Sequence, residues 1–173
     1  MKILTIGQIA YVESQKYFIE QLANDDNISI HFAGSGPAVP ALMKYVQDNC
    51  IHNIEFSGRY EKNNEQKIVE ASDIINIWLK NDINADSCMA NRFYLSALLM
   101  KPMIVNNGTY MARLCEEYCL GLVIKEGDNF KEKISSWYAN FDFKKFSDNC
   151  RFFLNAVKQD MNEFEKRLLK LYC

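Results

Sequence analysis

The sequence predicts a doubly wound α/β fold, a parallel sheet of about six strands between two layers of helices. Three observations predict it. Short apolar runs alternate with longer amphipathic stretches through the 173 residues. Glycines fall at the ends of several of those runs, where a strand must turn toward a helix. No low-complexity linker and no repeat interrupts the alternation, and 49% apolar with 13% aromatic residues can bury one sizeable core, so a single domain over 1–173 is expected.

The elements follow in order. "KILTIGQI" (2–9) is the first strand, and the stretch 14–24 carries Phe18 and Leu22 at helical spacing. "ISIHFAG" (28–34) is the second strand, and the helix over 37–49 keeps Pro37 and Pro40 at its start, where a missing N–H costs little. "NIEFSG" (53–58) is the third strand and 65–72 a helix. "DIINIWL" (73–79) is a β-branched run that only a buried strand would tolerate, and a polar loop (80–90) follows it. Next come a helix over 91–100, the strand "PMIVN" (102–106), a helix over 109–118 and the strand "GLVIK" (121–125). From Asn129 the chain reads as helical and closes with a long helix over about 146–172. Its Phe152, Phe153, Val157, Met161, Phe164 and Leu168 recur every three or four residues and predict a helix lying across the domain.

Composition removes several classes of function. Twenty basic against 22 acidic residues leave a net charge of −2, which is no footprint for nucleic acid or an anionic lipid surface. No apolar run reaches the roughly 18 residues of a membrane span, and "MKILTIGQIA" is too brief for a signal-peptide core, so a cytoplasmic location is expected. The six cysteines form no CxxC pair and have no histidine at ligand spacing, which favours reduced core thiols. Cys115 and Cys119 are expected on one face of a helix, yet with only His31 and His52 elsewhere they do not make a metal site.

On a doubly wound sheet, ligands sit outside the carboxyl ends of the strands. Here those ends are Gly7-Gln8, Gly34-Ser35-Gly36, Gly58-Arg59, the 80–90 loop and Asn106-Asn107-Gly108. "AGSGP" (33–37) has two readings: a backbone cradle that turns N–H groups toward an anion, or a tight turn that needs positive φ. Gly7 has the same two readings with less force. Arg59 and Arg92 are the cations nearest this rim, and a guanidinium fork suits phosphate oxygens. Arg92 opens a helix, where the dipole disfavours a cation, so it points to a bound anion facing the Gly34–Gly36 turn; a solvated surface charge is the other reading of both arginines. Asp73 reads as a turn or cap residue, and His31 as a core or edge histidine without a nucleophile beside it.

The order of "IGQI", "FAGSGP", "NIEFSG", "VEASDIINI", "NRFYLSALLMKPMIV", "GLVI" and the closing helix resembles the C-terminal nucleotide-binding domain of GT-B glycosyltransferases, in particular the retaining group called family 4. The resemblance covers nearly the whole chain and implies one Rossmann-like lobe that binds a nucleotide-sugar donor, with a separate N-terminal lobe for the acceptor. In that family two glutamates stand eight positions apart, the second bonding the nucleotide ribose. Anchored on Pro102, the second falls at Leu95 and the first at Ser87, so both carboxylates are missing. The glycine before "KP" becomes Met100, and the basic pair expected after the first strand falls near Gln8 and Glu13, where Glu13 would repel a pyrophosphate. Asn91-Arg92 still resembles the family's Asn-Lys.

The resemblance therefore implies a donor-binding lobe of a glycosyltransferase of polysaccharide or glycan assembly, inactive alone, with a nucleotide sugar and the missing N-terminal lobe as its partners. Gly7, Gln8, Gly34, Ser35, Gly36, Arg59, Ser87, Asn91, Arg92 and Leu95 are the candidate donor-binding residues. No cofactor and no metal are expected. A degenerate scaffold or partner lobe is the alternative, and a sugar-nucleotide epimerase lobe a third.

Overall fold

The computed structural model describes residues 1–79 and 88–170. Six strands form one parallel sheet: β1 (Lys2–Gln8), β2 (Ser29–Ser35), β3 (Ile54–Gly58), β4 (Ile74–Asn76), β5 (Met103–Asn106) and β6 (Gly121–Ile124). Their order is β3-β2-β1-β4-β5-β6, so the chain reverses its direction of travel between β1 and β4. The helices are α1 (Val12–Leu22), α2 (Val39–Asp48), α3 (Glu65–Glu70), α4 (Asn91–Leu98), α5 (Tyr110–Glu117), α6 (Phe130–Ala139) and α7 (Phe143–Leu169).

Alternation along each strand divides the core. Ile3, Ile30, Phe32, Ile74 and Ile104 pack with Phe18, Leu42 and Phe130 from α1, α2 and α6. Leu4, Ile6, Ala33, Ile75, Met103 and Val105 pack with Val69, Phe93, Met111 and Phe153 from α3, α4, α5 and α7 on the opposite face. Both faces of the central strands are thus dry, which is why their sequences are apolar without a polar alternate.

Two expected elements differ. The fourth strand, expected over 73–79, keeps ladder geometry only at Ile74–Asn76. Ile77 N still donates to Ile104 O at 2.8 Å, but side chains then replace the ladder. Asn76 Oδ1 accepts from Trp78 N at 2.9 Å, and Asn106 Oδ1 accepts from Leu79 N at 3.3 Å. Ile77, Trp78 and Leu79 remain buried, so the apolar run marks burial rather than strand length.

The helical C-terminus is broken rather than continuous. Asn140 closes α6 and the Asp142 carboxylate accepts from Lys145 N at 3.0 Å, so α7 starts at Phe143, ahead of the expected residue 146. Only the first half of α7 lies against the sheet layers: Phe146, Cys150 and Phe153 are buried, whereas Phe152, Met161, Phe164 and Leu168 are exposed. The expected apolar stripe exists, but beyond Val157 nothing among the described residues covers it. No helix among the described residues is long and apolar enough to cross a membrane.

Candidate functional site

Two adjoining cavities open at the carboxyl ends of β1, β2 and β3. The larger, about 1000 Å³, is bounded by Ile6, Gly7 and Gln8 of β1, by Tyr11, by Cys88 and the N-terminal half of α4, and by Leu154 and Val157 of α7. The smaller, about 490 Å³, is bounded by Gly7, Gln8, Gly34, Ser35, Gly36 and Arg59. Gly7, Gln8, Tyr60, Lys62 and Glu65 belong to both and form the wall they share.

Two glycines of the smaller cavity are required by space, and Gly34 by conformation as well. Gly34 has φ +146°, and a Cβ there would stand 1.9 Å from Gly7 O; one on Gly36 would stand 2.1 Å from Ile9 O. Any side chain would push β1 and β2 apart where Ile9 N donates to Ser35 O at 3.1 Å. The close approach of β1 and β2 thus requires both glycines of "AGSGP", and the same turn exposes Ser35 at the rim of the smaller cavity.

Arg92 is the second residue of α4 and extends toward the end of β1, where its guanidinium donates from Nη1 to Ile6 O at 3.3 Å. Its Nε is sealed from solvent and has no hydrogen-bond partner among the described residues. Burial pulls its pKa below the ordinary arginine value, and the neighbouring Cys88 and Tyr11 oppose that shift. A cation with spare donors thus faces the larger cavity. Arg92 lines the larger cavity and the Gly34–Gly36 turn the smaller, with Gly7 and Gln8 in the wall between them.

Nine of the ten candidate residues line one cavity or the other: Gly7 and Gln8 both, Gly34, Ser35, Gly36 and Arg59 the smaller, and Asn91, Arg92 and Leu95 the larger. Ser87 lies outside the described residues. Leu95 is half-buried and contributes to an apolar wall with Leu98, Leu154 and Val157. Asn106, Asn107 and Gly108 line neither cavity, and the Asn106 side chain instead holds Leu79 N. Glu13 is exposed on α1 and lines neither cavity.

The other singled-out residues have structural roles. Asp73 Oδ2 accepts from Lys2 N at 2.7 Å and ties the start of β4 to β1. His31 is buried in β2, its Nε2 2.8 Å from Ser57 Oγ. Burial holds its pKa below the ordinary value, aided by Lys2 and opposed by Glu55. Cys115 and Cys119 do not share a helical face: α5 ends at Glu117, and Cys119 follows it in left-handed backbone with φ 50°. Burial pushes the Cys115 and Cys150 thiols up to about 12, so both are inert packing groups. No cluster of His, Cys, Asp or Glu among the described residues is arranged to hold a metal ion.

Sequence reasoning missed Tyr11, Tyr60, Lys62, Glu65 and the α7 pair Leu154–Val157. Tyr60 is the residue after Arg59, so the strand-end rule that selected Arg59 could have been extended one position. The α7 pair carried no such signal, because its apolar spacing reads as core.

No family model matches the sequence, and no curated protein matches it. Solved structures do share the fold. HepE of Anabaena, crystallised with UDP-glucose, superposes with a TM-score of 0.70 at 12% identity over 96% of this chain and 48% of its own. The C-terminal domain of LpcC, a glycosyl transferase group 1 family protein of Francisella tularensis, superposes with a TM-score of 0.65 at 15% identity over 90% of this chain and 84% of its own. The catalytic domain of cholesterol-α-glucosyltransferase from Helicobacter pylori reaches 0.62 at 14% identity over 91% of this chain and 99% of its own. At such identities the likeness is one of fold, and this chain spans about half the length of HepE (48%). The chain thus has the Rossmann-like fold of one lobe of the GT-B glycosyltransferases.

Proposed function

We propose that residues 1–173 form a single domain that binds a nucleoside-diphosphate sugar as the donor-side lobe of a glycosyltransferase, acting in the cytoplasm on glycan or polysaccharide assembly and completed by a second lobe that brings the acceptor. One observation carries the reading: Gly7, Gln8 and the half-buried Arg92 side chain meet at the end of β1, against two cavities that together can take a nucleotide and a sugar. HepE, of the same fold, was crystallised with UDP-glucose, which supports the choice of ligand.

In this reading the glycine turns let the backbone approach the diphosphate, and Arg92 stabilises charge on the departing nucleoside diphosphate. The acceptor hydroxyl forms a bond to the anomeric carbon as the bond to the β-phosphate oxygen breaks. The diphosphate leaves with the electron pair, and the hydroxyl proton passes to a base. The acceptor lies in the second lobe, so this chain alone binds without transferring. A non-catalytic partner lobe is the second reading, and the apolar Leu95 in the cavity wall favours it.

Calorimetric titration with UDP and UDP-glucose tests the proposal. Binding on the order of 1 mM is expected, with no sugar transferred to any acceptor in a panel. Absence of binding to both at 10 mM ligand would leave only the scaffold reading, and transfer by the isolated chain would overturn the need for a second lobe.

A further inference from the structure

The wall between the two cavities holds one acid. Glu65 is the sole carboxylate among the described residues that line either cavity, and it lines both. Its side chain is 15% exposed. The Tyr60 hydroxyl donates to Oε1 at 2.9 Å, and the Lys62 ammonium bonds Oε2. An ionised carboxylate offers about four acceptor positions, so these two donors orient the group without exhausting it.

A group opposite that carboxylate must donate hydrogen bonds. A phosphate would be repelled there, and a cationic group would meet Arg92 in one cavity and Arg59 in the other. A neutral donor remains, and a vicinal diol suits best, because two adjacent hydroxyls match the two oxygens of one carboxylate. The α4 side of the larger cavity presents Leu95 and Leu98, which cannot accept such bonds, so Glu65 is the carboxylate open to the hydroxyls of a sugar ring.

We infer that Glu65 is a specificity-determining residue that accepts hydrogen bonds from a ring diol of the donor, either the ribose or the hexose. The inference rests on the donor-binding reading above. It predicts that the carboxylate separates ligands by their hydroxyls and leaves the diphosphate untouched.

The test is calorimetric titration of the full chain with inorganic pyrophosphate, UDP and UDP-glucose, in the native protein and in Glu65→Gln and Glu65→Asp. Glu65→Asp keeps the charge but withdraws it by one methylene, which covers the case in which the glutamine variant folds poorly. Both variants are expected to weaken the sugar-bearing ligand about tenfold, the size of one charge-assisted hydrogen bond, while pyrophosphate changes less than twofold. A loss already seen with UDP assigns the ribose, and a loss seen only with UDP-glucose assigns the hexose. Unchanged binding of UDP and UDP-glucose beside intact pyrophosphate binding would overturn the role of Glu65 alone. Tighter binding of all three in Glu65→Gln would show the carboxylate to be a repulsive wall, and no binding of any probe by the native chain would remove both this inference and the donor-binding reading.

Discussion

Replacing Arg92 by methionine is expected to stabilise the fold while removing anion binding. Methionine retains most of the unbranched stem that packs beside β1 and discards the guanidinium. That guanidinium makes one hydrogen bond of 3.3 Å to Ile6 O and keeps its sealed Nε without a partner among the described residues. A typical net hydrogen bond contributes about 0.5–1.5 kcal/mol, whereas an unsatisfied buried donor costs about 1–3 kcal/mol, and more for a charged group. The balance favours the variant by about 1 kcal/mol, or roughly 2–4 °C in Tm for a chain of this size. Thermal unfolding by circular dichroism measures the first effect, and UDP titration measures the second, expected as a loss of about tenfold or more. A fall in Tm of several degrees would refute the reasoning, since it would make Arg92 a strut for the end of β1 rather than a cation kept at a cost for a ligand.

Three further outcomes follow from the same geometry. Leu95→Glu is expected to strengthen UDP binding severalfold in the same titration, since a carboxylate in the larger cavity can accept from ribose hydroxyls; unchanged binding would place the ribose elsewhere. Asn76→Leu is expected to destabilise by about 3–4 kcal/mol in urea unfolding, because it orphans the buried partners Thr5 Oγ1, Gln15 Oε1 and Trp78 N. For His31, whose pKa lies below its ordinary 6.5 when folded, the unfolded chain binds more protons in acid, so stability falls as pH drops through about 6.5. The difference in Tm between pH 7.5 and pH 5.0 is expected to shrink in His31→Gln, and an unchanged difference would assign the acid sensitivity to other groups.

Sequence by itself determined the fold. Its alternating rhythm and the glycines at strand ends are short-range signals, and a parallel sheet buried on both faces leaves few ways of arranging six such strands. The carboxyl-end rule then picked out Gly7, Gln8, Gly34, Ser35, Gly36 and Arg59 of the cavity linings without any knowledge of distance, while Asn91 and Leu95 came from the family resemblance and Asn106–Gly108, picked by the same rule, line neither cavity. Tertiary structure decided what locality cannot encode. Asn76 and Asn106 end β4 by side-chain hydrogen bonds, so an apolar run that continues through Leu79 does not extend the strand. Val157 borders a cavity while Phe164, two turns along the same stripe, faces solvent, because helical spacing defines a face and only packing defines what covers it. Arg92 reaches Ile6 O at the end of β1, and Glu65 becomes a shared wall, since both depend on where helices land after a crossover. Such placements arise from long-range packing, whose partners lie many residues apart and leave no period in the chain.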